Sequence, residues 1–203
     1  MQDLAGLFVK SIFIDNIILV YFIGMCSFLA CSKRKETARD LGLSVFLIIF
    51  LVTPINWFID KYLLSQGALS WLGPFNNVDL SFLRFILFIA VIAAFVQILE
   101  MILDRFNRKL YTHLGVFLPL LTVNCAVLGV SLFVVERGYG FYQTCVFALG
   151  SGLGWALAIN ILAAIRKQLR YADVPYCLQD LGIAMIVTGL IAMTFMGFAG
   201  IRF

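Results

Sequence analysis

The chain has 203 residues, of which 63% are hydrophobic and 13% charged, whereas a soluble domain carries about 25% charged residues. That balance excludes an ordinary soluble enzyme and indicates a polytopic membrane protein. The net charge of +4 does not mark a nucleic-acid binder, because the basic residues fall in short connections between apolar runs, where membrane topology accounts for them.

Six apolar segments reach or approach the roughly 20 residues that a spanning helix needs. Their limits are about 7–31, 41–63, 81–103, 113–135, 141–165 and 179–201. They predict an all-α fold in one integral membrane domain over residues 1–203, since no connection is long enough to fold separately. Only Lys10 precedes the body of the first run, and no small-residue cleavage site follows, so segment one is expected to be retained.

Segment one contains Asp15 and Asn16 and then Tyr21–Cys31, YFIGMCSFLAC, with Gly24 and Cys26 inside it. Segment two is followed by the longest connection, Leu64–Val78, whose Gly67, Gly73, Pro74, Trp71 and Phe75 suit an interfacial loop on the outer side. Segment three ends in Glu100 and Asp104, spaced i, i+4 and therefore on one helix face. Two readings stand for this pair: an interfacial pair held by Arg105 and Arg108, or a point of access for a cation.

Segment four holds Phe117–Gly129, FLPLLTVNCAVLG, which places Pro119, Asn124 and Cys125 within an apolar run. Pro119 removes a backbone donor and crowds the preceding turn, so this helix is expected to be kinked or broken. His113, the only histidine, lies at a segment boundary and reads as an interfacial residue. Segment five carries Gly150, Ser151, Gly152 and Gly154, a small-residue pattern for close helix packing rather than a phosphate loop, because no strand precedes it. Gly182, Gly189, Gly197 and Gly200 suggest similar packing in segment six.

Loops after segments one, three and five hold ten of the fifteen basic residues, so that face is expected to be cytoplasmic and both termini to lie on the outer side. The segments also divide into approximate repeats, 1–103 and 113–203, with Cys26 in the first segment of one and Cys125 in the first of the other. An odd number of spans inverts the second copy. The reading is therefore two inverted three-helix repeats with interrupted helices 1 and 4, their cysteines facing each other across a pseudo-two-fold axis.

A cysteine in an apolar helix is ordinarily a small hydrophobe, and Cys31, Cys145 and Cys177 are read so. Cys26 and Cys125 differ because each adjoins a helix breaker, Gly24 or the Pro119/Asn124 pair. Thiolates in a low-dielectric interior suit an iron–sulfur cluster, which needs four ligands. One chain offers two, so a second chain with its own pair is implied. No nucleophile–base pair, zinc motif or dinucleotide fingerprint occurs, so the chain by itself is expected to catalyse nothing.

These stretches resemble the NqrDE/RnfAE family of bacterial membrane proteins. The likeness runs through VKSIFIDN, GMCSFLA, VDLSFLRFI, VQILEMILDRF, FLPLLTVNCA, GSGLGWALAI and YADVP, and covers essentially the whole chain. The longer outer loop, LEMILDRF and GSGLGW are more similar to the NqrE branch, found in sodium-translocating NADH:quinone oxidoreductases, than to the RnfA branch of Rnf-type electron transport complexes. The resemblance implies a redox-driven translocase of the bacterial inner membrane, in which this chain pairs with the similar NqrD protein beside NqrA, NqrB, NqrC and NqrF. It implies that Cys26 and Cys125 hold half of a 2Fe-2S cluster, a relay of electrons coupled to export of Na+. NADH, FAD, FMN and ubiquinone would be bound by other members of the complex. Glu100 matches an acidic position associated with sodium handling, and Asp104 and Asp15 are further candidates for an ion path. Alternatives of a different class are a secondary ion transporter without a cluster, and a scaffold protein without a cofactor.

Overall fold

A computed structural model describes residues 4–64, 81–106, 124–171, 175 and 178–198. Among them the chain is all-helical: α1 Leu4–Phe13, α2 Met25–Cys31, α3 Lys35–Ile59, α4 Ser81–Phe106, α5 Cys125–Glu136, α6 Phe141–Leu169 and α7 Leu181–Phe198. Three helical stretches, Lys35–Tyr62, Leu83–Ile102 and Phe141–Leu169, are long and apolar enough to cross a membrane, and α1, α5 and most of α7 form shorter apolar helices. Pro119, His113, Cys177, Arg108 and nearly all of the Leu64–Val78 connection lie outside the described residues.

Segment one is two helices rather than one. α1 ends at Phe13, and an irregular stretch, 14–24, precedes α2. α3 begins at Lys35, six residues before the apolar run at Leu41. Lys, Glu and Arg are good helix formers and Glu36 faces the positive helix end, so the helix extends through the charged connection that hydropathy alone leaves out. At its other end α3 passes into a π-helical turn, Asp60–Leu64, where Asp60 pairs with Arg84 of α4 at 2.6 Å.

The centre of the fold is α6, packed between α3 and α1 through its glycines. A β-carbon at Gly150 would fall 1.7 Å from Ser11 Oγ, and one at Gly154 would fall 2.9 Å from Ile12 O and from Asn16 Nδ2. Gly152 is turned the other way, 2.9 Å from Phe46 of α3 by the same measure. Helix backbones can approach this closely only where side chains are absent, as the small-xxx-small spacing predicted. Trp155, Phe28 and Phe147 fill the space beside this contact and are fully buried. α4 and α7 present the reverse character, with Phe85, Ile86, Met101, Leu190, Met193 and Met196 exposed. An apolar surface of this kind fits lipid or partner helices.

Candidate functional site

The interruption after α1 is an ordered, buried loop. Asn16 Oδ1 accepts from the backbone N–H groups of Ile18 and Leu19 at 3.1 and 3.4 Å, and its Nδ2 donates to Ile12 O at 3.0 Å. One amide side chain thus satisfies backbone groups on both sides of the break, as burial demands. Ile17, Ile18 and Leu19 then sit in the core. The chain turns into α2 at Gly24, whose φ of 93° lies in the left-handed region that favours glycine.

α5 begins at Cys125 itself. Asn124 caps it, its Oδ1 accepting from Ala126 N at 3.0 Å while Val127 N donates to Asn124 O at 3.1 Å. The two helix starts touch. A β-carbon at Gly24 would lie 2.8 Å from Ala126 Cβ, and one at Gly129 would lie 3.0 Å from Ile23 Cγ2. Cys26 and Cys125 are therefore each within two residues of one shared contact. Both cysteines are exposed, although Ser27, Phe28, Ala126 and Val127 beside them are buried. The thiols stand at the rim of the chain.

Two buried donors at this junction have no hydrogen-bond partner among the described residues, Asn124 Nδ2 and Trp155 Nε1. The indole nitrogen lies 3.3 Å from the position of a Gly24 β-carbon. Unpaired buried N–H groups are costly and rare in finished structures. Together with the N–H groups at the start of the twelve-residue α5, they make the surroundings of the thiols suited to negative charge. Two thiolates beside such donors fit the chemistry of an iron–sulfur centre. Among the described residues no group of three or more His, Cys, Asp or Glu side chains gathers as a metal site. Cys31 is buried and Cys145 half-buried, so neither thiol is exposed as those of Cys26 and Cys125 are.

The acidic candidates are dispersed. Asp15 is bound to Arg137 at 2.9 Å, with Lys10 at 3.9 Å. The same guanidinium donates to Tyr139 Oη and Tyr21 Oη, each at 3.1 Å, and lies over the Phe133 and Phe147 rings. Burial opposes the charge of Arg137, but its hydrogen bonds to Asp15 and Tyr139 outweigh that and hold the group more firmly protonated than usual. This tie joins the interrupted segment to the α5–α6 turn, and the sequence signals it only by an isolated Arg137 before Gly138. Glu100 is half-exposed and Asp104 exposed on α4, and neither makes an ion pair among the described residues, to Arg105 or otherwise. Asn56 and Ser131 form a further buried polar contact, Nδ2 to Oγ at 3.0 Å, between α3 and α5.

A helical membrane protein, with two thiols at the meeting point of two helix starts, is the class that these features define. The chain belongs to the Rnf-Nqr family, whose model, described as "Rnf-Nqr subunit, membrane protein", matches residues 4–202. It is 55% identical over 200 residues to the E subunit of the Na(+)-translocating NADH-quinone reductase of Chlamydia muridarum, covering 98% of this chain and 82% of that one. It is 53% identical over 202 residues to the protein so named from Nitrosomonas europaea, and 52% over 202 residues to that from Azotobacter vinelandii, each covering 100% of both chains.

Proposed function

We propose that this chain is the E-type membrane component of a sodium-translocating NADH-quinone reductase, non-catalytic alone, and that Cys26 and Cys125 furnish half of the ligands of an iron–sulfur cluster of the 2Fe-2S type. The observation that carries the reading is the contact of Gly24 with Ala126, which puts two helix starts together with an exposed cysteine on each. Such a cluster supplies one-electron transfer. The protein's part is to fix the thiols. Asn16 and Gly24 hold the backbone that presents Cys26, Asn124 holds the turn that presents Cys125, and Phe28, Val127 and Trp155 keep water from the inner side.

The other two ligands come from a similar chain, NqrD in the resembling complexes, which would cover the exposed rim. Six crossings in two inverted repeats follow if α1 with α2, and α5 with the stretch preceding it, each complete one interrupted crossing. The basic connections then lie in the cytoplasm and the termini in the periplasm. The relatives' name, that of the E-type component, supports this reading over the Rnf-type role. Glu100 and Asp104 are better placed than Asp15 to meet Na+, since Arg137 already holds the Asp15 carboxylate.

The test is electron paramagnetic resonance with iron and sulfide analysis of the reduced complex, wild type against Cys125→Ala. Loss of one cluster signal and its iron, with the complex still assembled, is the expected result. An unchanged signal would remove Cys125 as a ligand and favour an ion transporter or scaffold in which the acids matter and the thiols do not.

A further inference from the structure

The connection between α2 and α3 meets the end of α6 and the start of α7 in a set of joined clefts. The first is a cavity of about 370 Å³ lined by Lys33, Arg166, Leu169, Arg170, Asp180 and others. The second shares Lys33 and Arg170 and adds Arg34, Lys35 and Lys167, and the third runs on past Lys35 and Lys167 to Ala164, Ile165 and Tyr171. Six basic residues face two acidic ones, Glu36 and Asp180.

Part of this charge is already used. Arg166 donates to Leu29 O, Ser32 Oγ and Asp180 Oδ1, and Lys33 pairs with the same Asp180. The Lys33 ammonium holds the Asp180 carboxyl below the usual aspartate range. Arg170 is fixed by donating to Lys33 O at 3.0 Å. These bonds make the walls. They leave Arg34, Lys35 and Lys167 around the N-terminus of α3, whose cap, Arg34, makes no side-chain hydrogen bond to the helix. Basic side chains at a helix N-terminus oppose the macrodipole, which favours an anion there, and Glu36 in the first turn sets only one negative charge against these three. An apolar wall continues from this pole along the half-buried Ala164, Ile165 and Leu169, with Tyr171 fully turned out beside it.

We infer that the clefts bind one anionic phospholipid, with its phosphate between Arg34, Lys35 and Lys167 and a chain along Ala164 and Ile165. Charge complementarity selects the headgroup, and the apolar wall selects a lipid over a soluble phosphate. Tyr171 stands where an aromatic residue meets the headgroup level.

The test is made on the purified assembled complex, delipidated and reconstituted in nanodiscs of phosphatidylcholine with one-fifth phosphatidylglycerol. Lipid retained after detergent washing is quantified by mass spectrometry for wild type and for Arg34→Gln/Lys167→Gln, both exposed positions outside the cysteine site. Affinity for phosphatidylglycerol should fall on the order of tenfold in the variant, with phosphatidylcholine unchanged. If the variant fails to assemble, the wild type alone decides, because retention must fall as salt rises. Equal retention in both proteins, retention insensitive to salt, or displacement of the lipid by millimolar inorganic phosphate would overturn the assignment.

Discussion

At the tie between Asp15 and Arg137 each charged or hydroxyl group meets a partner, whereas at the junction of α2 and α5 two buried donors meet none among the described residues. Both places join the interrupted first segment to the second half of the chain. The first is complete within this chain and behaves as a fastening. The second pairs tight backbone packing with unsatisfied N–H groups and exposed thiols, the character of a surface that something else completes.

The largest effect expected on this contrast comes from Gly24→Ala. The left-handed backbone and the 2.8 Å approach to Ala126 Cβ both oppose a side chain. Together they should remove roughly 2–4 kcal/mol, read as a lower melting temperature of the assembled complex. Melting with the wild type would mean that α5 moves aside freely and the junction is not tight.

Next is Arg137→Met, which strips the half-buried Asp15 of its close partner and should destabilise by about 1–2 kcal/mol. Adding Asp15→Asn should recover part of that loss in a double-mutant cycle. Strictly additive effects would dissolve the fastening.

The smallest effect belongs to Trp155→Phe. Removing an unpartnered buried donor should leave stability within about 1 kcal/mol of wild type. A markedly larger loss, measured on the complex, would show that the indole N–H finds an acceptor contributed from outside the chain, which sharpens the contrast.

Much of this arrangement is legible in the sequence where the signal is local. Gly24 marks the end of the break before α2, and Gly150 with Gly154 marks the face where α1 and α6 meet. The length of the break is not legible, because Ile17, Ile18 and Leu19 look like any stretch of apolar helix. They leave helical form because Asn16 satisfies their backbone. Arg137 is equally silent, since its partners Asp15 and Tyr21 stand 122 and 116 residues away and nothing near it announces them. The exposed state of Cys26 and Cys125 is not legible either, because it follows from α2 and α5 lying at the rim, a property of the whole bundle.

The shortness of α1 bears on how the protein enters its membrane. Ten helical residues extend about 15 Å, half of a hydrocarbon core of about 30 Å, and the chain beyond them carries Asp15 and Asn16. The groove that receives α1 is formed by Gly150 and Gly154, and the arginine that neutralises Asp15 is residue 137. Segment one thus has its resting place on a helix made much later in the chain. Until α6 is made, α1 lacks the glycine face against which Ser11 and Ile12 pack, and its docking waits on synthesis of that later helix.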